Sequence, residues 1–164
     1  MNPYLGLVLV AGATALAASV GTWLAGRWLQ ERDEKRRGLA AGRLLYLELS
    51  RNHRAVRQFR KGGKTSASLP FLTTATWEQV QVDVTRIIDK RHVGTLALPY
   101  FWVYTIRAAV EGMNLLEKGY AKLTGYEREW FDDLEKSSLE AIDRLGSVVW
   151  DKGQLERLRS AMLE

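Results

Sequence analysis

The chain has 164 residues, no cysteine, and 24 Lys and Arg against 19 Asp and Glu, a net charge of +5. Without cysteine there are no disulfides, thiol nucleophiles or cysteine-type zinc sites, a composition that suits a reducing compartment. The length allows one ordinary domain with a real core and speaks against two.

In chain order, residues 1–26 carry no charged side chain, and residues 4–24 are almost wholly Leu, Val, Ala and Gly, with Thr14, Ser19 and Thr22 as mild exceptions. At 1.5 Å per residue, the steps from Tyr4 to Trp23 cover roughly 28 Å, against roughly 30 Å for a hydrocarbon core. The pattern therefore predicts a transmembrane anchor over residues 1–29, with the two aromatics near opposite interfaces. Arg27, Arg32, Lys35, Arg36, Arg37 and Arg43 follow the run and no base precedes it. The positive-inside bias then predicts a single-pass protein of the cell inner (plasma) membrane, with its N-terminus outside and its C-terminal domain cytoplasmic. The rival is a cleaved signal with a small-x-small site at Ala15-Leu16-Ala17, which lacks the basic n-region. Small residues four apart, at Ala11, Ala15 and Ser19 and at Ala17, Gly21 and Ala25, suit close helix packing, though an Ala-rich run also produces them by chance.

Residues 30–44 read as a basic juxtamembrane stem and residues 45–164 as a helical cytoplasmic domain. A long helix is predicted over residues 30–61, because Leu45, Leu49, Val56 and Phe59 share one face with Asn52 in the stripe. Gly38 and Gly42 weaken its first part and predict a bend there, and Gly62-Gly63 ends it. After a polar loop to Pro70, Thr74 or Thr76 caps a shorter helix carrying Trp77, Val80, Val84, Ile87 and Ile88.

Residues 92–97 read as a connection, and Pro99 suits the first turn of a third helix with a face of Phe101, Tyr104, Ala108, Leu115 and Leu116, reaching about residue 122. Thr124-Gly125-Tyr126-Glu127 fits a capping box opening a fourth helix with Trp130, Leu134, Ala141, Leu145 and Val148 on one side. Leu155, Leu158 and Met162 suggest a short terminal helix. The expected fold class is all-α: an N-terminal transmembrane helix followed by a helical bundle of about four helices.

Little in the chain points to catalysis. Gly63-Lys64-Thr65 resembles the end of a phosphate-binding loop, but Gln58 stands where its first glycine belongs and a helix precedes it in place of a strand. His53 and His92 have no partner at metal or proton-transfer spacing. Glu48 and Asn52 lie one turn apart, placed to bond each other or to cap a neighbouring helix, with Asn52 fixing helix register as a buried polar residue. Glu127, Glu129, Asp132, Asp133 and Glu135 suit the positive end of the fourth helix. The reading is no enzyme and no cofactor or metal.

Charge is distributed unevenly. Residues 27–64 hold 12 Lys and Arg against 4 acids, whereas residues 65–164 hold 12 against 15, a net +8 facing a net −3. Arg51, Arg54, Arg57, Arg60 and Lys61 lie too far along to act as topology signals and form the candidate partner-binding face. They pair with the acidic fourth helix, fold back onto lipid, or hold an acidic partner. The expected partners are the lipid bilayer and a protein, either another chain or this one in self-association. Nucleic acid or another anionic ligand is the weaker alternative, since no nucleic-acid-binding signature accompanies the charge.

The layout of an apolar N-terminal run, Leu47, Glu48, Leu49 and Asn52, and then a helix led by Trp77, resembles that of small bacterial single-pass membrane proteins of uncharacterised function with a helical cytoplasmic domain. That resemblance implies a bacterial inner membrane and brings no activity with it. The function expected is a membrane-anchored, non-catalytic interaction or scaffold module.

Overall fold

The structure, a computed structural model, describes residues 3–62, 72–113 and 119–163, with the side chains of 3–15, 17, 111–113, 159 and 161–163 outside that description. It is all-helical. Five α-helices are seen among the described residues: α1 Pro3–Arg60, α2 Ala75–Val84, α3 Val93–Met113, α4 Gly125–Val149 and α5 Lys152–Leu163. The chain divides into two compact units, Met1–Arg36 and Arg37–Glu164.

In the first unit the described side chains are almost all exposed. Arg27 lies over the Trp23 ring at 5.6 Å and pairs with Glu31 at 3.1 Å, and Arg32 lies over Trp28 at 5.4 Å. These are neighbours along one helix, the local contacts that spacings of three and four allow. The membrane anchor expected here is corrected: among the described residues no helix is long and apolar enough to cross a membrane. The single-pass assignment and the inner-membrane location with a cytoplasmic C-terminal domain fall with it. Of the small-residue repeats, Ala11, Ala15 and Ala17 lie outside the described side chains.

The second unit holds the core, in two apolar clusters. One contains Val56, Phe59, Val103, Ile106, Trp130, Phe131 and Leu134; the other contains Leu45, Tyr46, Leu49, Val84, Leu96, Tyr100, Ile142 and Leu145. Along α1 the buried Asn52 falls between residues of the two clusters, and along α4 the buried Ser137 and Ser138 do.

The expected bend at Gly38 and Gly42 does not occur, because α1 runs unbroken to Arg60. Both glycines are buried. A Cβ on Gly38 would lie 2.4 Å from Ile87 Cγ2, and one on Gly42 2.5 Å from Val149 Cγ1. Missing side chains here allow close helix packing, and that packing outweighs the roughly 1 kcal/mol of lost helix propensity at each. The helix ends as expected, with Gly62 at φ +112°, a conformation that suits glycine.

Three expectations for α3 are corrected. Asp89 opens a turn of 3-10 helix at Lys90–His92 by accepting the Arg91 backbone N–H at 3.0 Å, so α3 starts at Val93 and Pro99 lies inside it. The chain is in a second 3-10 turn at Tyr120–Lys122, so α3 does not reach residue 122. The buried face is Leu96, Tyr100, Val103, Ile106 and Val110, whereas Phe101 is 57% exposed and Tyr104 47%. Trp77 stacks on Tyr100 at 5.0 Å and 13°, which fixes the helix about one residue's rotation from the expected phase. Leu115 and Leu116 lie outside the described residues. In α2 the helix stops at Val84, leaving Ile87 and Ile88 in a turn that still packs on the core. The Thr124 box forms as expected: its hydroxyl accepts the Glu127 N–H at 3.2 Å, and its own N–H donates to Glu127 Oε2 at 2.7 Å.

Candidate functional site

The inner stripe of α1 carries two polar side chains, and both have backbone partners on the segment that opens α2. Asn52, wholly buried, donates from Nδ2 to the Thr73 carbonyl at 2.9 Å and accepts the Thr73 N–H on Oδ1 at 3.1 Å. One turn earlier Glu48 accepts the Thr76 N–H at 2.9 Å and the Trp77 N–H at 3.3 Å. These are two of the orphan donors in the first turn of α2, and a carboxylate there also meets the positive end of the helix dipole.

Thr74, at the N-cap position, makes no side-chain cap. Its hydroxyl donates to Glu78 Oε1 at 2.7 Å, and the Tyr104 hydroxyl donates to the same oxygen. Those two bonds, the tyrosine's first, hold the Glu78 carboxyl below its ordinary range. The Tyr100 hydroxyl is buried near Glu48 without reaching hydrogen-bond geometry, and burial, followed by that carboxylate's charge, pushes its pKa up. The cap on α2 is therefore supplied by Glu48 from another helix, one of the two roles its spacing from Asn52 allowed.

The cations of α1 divide into two groups. Arg43 donates from Nε to the Val149 carbonyl at 3.2 Å, closing the C-terminal end of α4, and lies over the Trp150 ring at 4.9 Å. Arg60 pairs with Glu135, reaches Asp132 at 3.4 Å, and lies 5.5 Å over the Tyr120 ring. Tyr120 in turn donates to Asp132 at 2.8 Å. Of the five candidate partner-binding residues, Arg60 thus belongs to the bundle's own acidic helix.

Arg57 is half-buried beside His53, whose pKa is lowered by burial, partly restored by Glu135 and lowered again by the Arg57 charge. Arg51, Arg54 and Lys61 are exposed and make no ion pair among the described residues. Of the five candidates, these three are fully exposed without an ion pair among the described residues.

Sequence reasoning missed Leu44 and Leu47, 54% and 53% exposed beside those cations. The signal was present, since both fall outside the stripe of Leu45, Leu49, Val56 and Phe59. It also missed the exposed apolar strip of Leu98, Phe101 and Tyr104 on α3, which a helix in the expected phase would have buried. Gly63-Lys64-Thr65 lies outside the described residues. Among the described residues no group of His, Asp or Glu is placed to hold a metal ion. Comparison with family models, with curated proteins and with solved structures finds no match to this chain.

Proposed function

We propose that the chain is a non-catalytic helical interaction module whose second unit binds an acidic protein partner through the outer surface of α1. The observation that carries this reading is the division of the α1 cations. Arg43 and Arg60 are engaged within the bundle, whereas Arg51, Arg54 and Lys61 stand exposed on a surface whose only acid between residues 37 and 61, Glu48, is buried facing inward.

Exposed cations without a local counter-charge steer an acidic partner and set its orientation, adding modestly to affinity. A non-catalytic role is supported by the use made of the buried acids: Glu48 caps α2 and Glu127 completes the capping box of α4. Protein is favoured over nucleic acid because exposed leucines accompany the cations and no exposed aromatic ring lies among them.

The test is recovery of crosslinked protein partners by the full chain and by the variant Arg51→Ala, Arg54→Ala, Lys61→Ala. Loss of recovery with an unchanged helical spectrum is the expected result, and equal recovery rejects the proposal. Affinity for DNA or RNA that falls steeply with salt and is lost in the same variant would favour the nucleic-acid alternative.

A further inference from the structure

The outer surface of α1 has an order of its own. Residues 44, 47, 51, 54, 58 and 61 follow alternating steps of three and four, the seven-residue repeat by which one helix offers a seam to another. They are Leu44, Leu47, Arg51, Arg54, Gln58 and Lys61, and all six are exposed. The Lys61 N–H bonds the Arg57 carbonyl at 3.1 Å, so helical geometry continues to the end of the row. The seam spans about 26 Å, about five turns. It is distinct from the packing stripe, which lies on the opposite side through Leu45, Leu49, Asn52, Val56 and Phe59.

We infer that this seam docks an amphipathic acidic helix of a partner protein, with apolar side chains over Leu44 and Leu47 and carboxylates over Arg51, Arg54 and Lys61. The inference rests on the basic-face reading above and names its occupant. The charge complement follows from three exposed cations on a stretch of chain, residues 37–61, whose one acid, Glu48, is buried. The helical form follows from the period, since a second helix presents its side chains at the same alternating steps of three and four. The apolar requirement follows from the paired leucines in the first heptad, which a phosphate backbone would leave uncovered. A helix laid along such a face is read through anchors at these spacings.

The experiment uses the full chain and three synthetic peptides of three heptads each, followed by fluorescence anisotropy. Two peptides carry leucines at the seam positions of one terminal heptad and glutamates at those of the other two, with the leucines at either end so that parallel and antiparallel docking are both offered. The third has the same composition scrambled to destroy the repeat. One ordered peptide is expected to bind at least about tenfold more tightly than the scrambled one. Leu44→Ser with Leu47→Ser should erase that difference, and Arg51→Glu with Arg54→Glu should remove binding of every peptide.

Equal binding of ordered and scrambled peptides would overturn the seam and leave the basic-face reading standing. Binding of none would overturn both. Sedimentation showing a dimer of the chain that Arg51→Glu with Arg54→Glu dissociates would place a second copy on the seam and overturn the assignment to a separate partner. All four substituted side chains are exposed, and circular dichroism confirms that each variant folds.

Discussion

The two sides of α1 between residues 44 and 61 use polar residues in opposite ways. Inside, Glu48 and Asn52 are two side chains whose oxygens and amide meet four backbone groups of residues 73, 76 and 77. Outside, Arg51, Arg54 and Lys61 meet no counter-charge among the described residues. A buried polar group left without its partner costs far more than an exposed one, so the inner pair governs stability and the outer row is free to vary for recognition.

This contrast sets the sizes of the expected effects. Asn52→Ala leaves the Thr73 N–H and carbonyl without their partner and should cost about 3 kcal/mol of unfolding free energy. Urea denaturation measures it, and a loss below about 1 kcal/mol would mean that water reaches Thr73. Glu48→Ala should cost about 2 kcal/mol, because two first-turn donors of α2 lose their acceptor. Glu48→Gln, which keeps an acceptor oxygen, should recover part of that loss.

His53, half-buried, gives a smaller and pH-dependent effect. Burial depresses its folded pKa, so the unfolded chain takes the proton more readily. Stability is full above the unfolded value of about 6.5 and is lost as pH falls through the lower folded value. His53→Gln should flatten the decline in melting temperature as pH falls below about 6.5. At the far end, Arg51→Ala with Arg54→Ala should leave unfolding free energy within about 0.5 kcal/mol of the parent, since exposed side chains without a specific contact contribute little.

The inner side was largely legible in the sequence. Period alone placed Leu45, Leu49, Asn52, Val56 and Phe59 on one face, and Thr124 with Glu127 marked the start of α4 through local chemistry. The phase of α3 was not legible, because Tyr100, Phe101, Trp102, Val103 and Tyr104 are large on every side of the helix. Which of them turns inward depends on Trp77 stacking on Tyr100, a contact between residues far apart in the chain. The same limit applies to the cations. Arg57, Arg60 and Lys61 look equivalent as sequence, and only the position of Asp132, Glu135 and His53 tells them apart. Gly38 and Gly42 misled because their propensity cost was visible and the side chains of Ile87 and Val149 that need the space were not.

The amide clamp of Asn52 on Thr73 has a consequence for how the gene tolerates change. Both of its bonds go to main-chain groups of residue 73, so the clamp is indifferent to which side chain stands there. Thr73→Ser, which also keeps the hydroxyl that accepts the Ala75 N–H, should therefore cost far less stability than Asn52→Ala does.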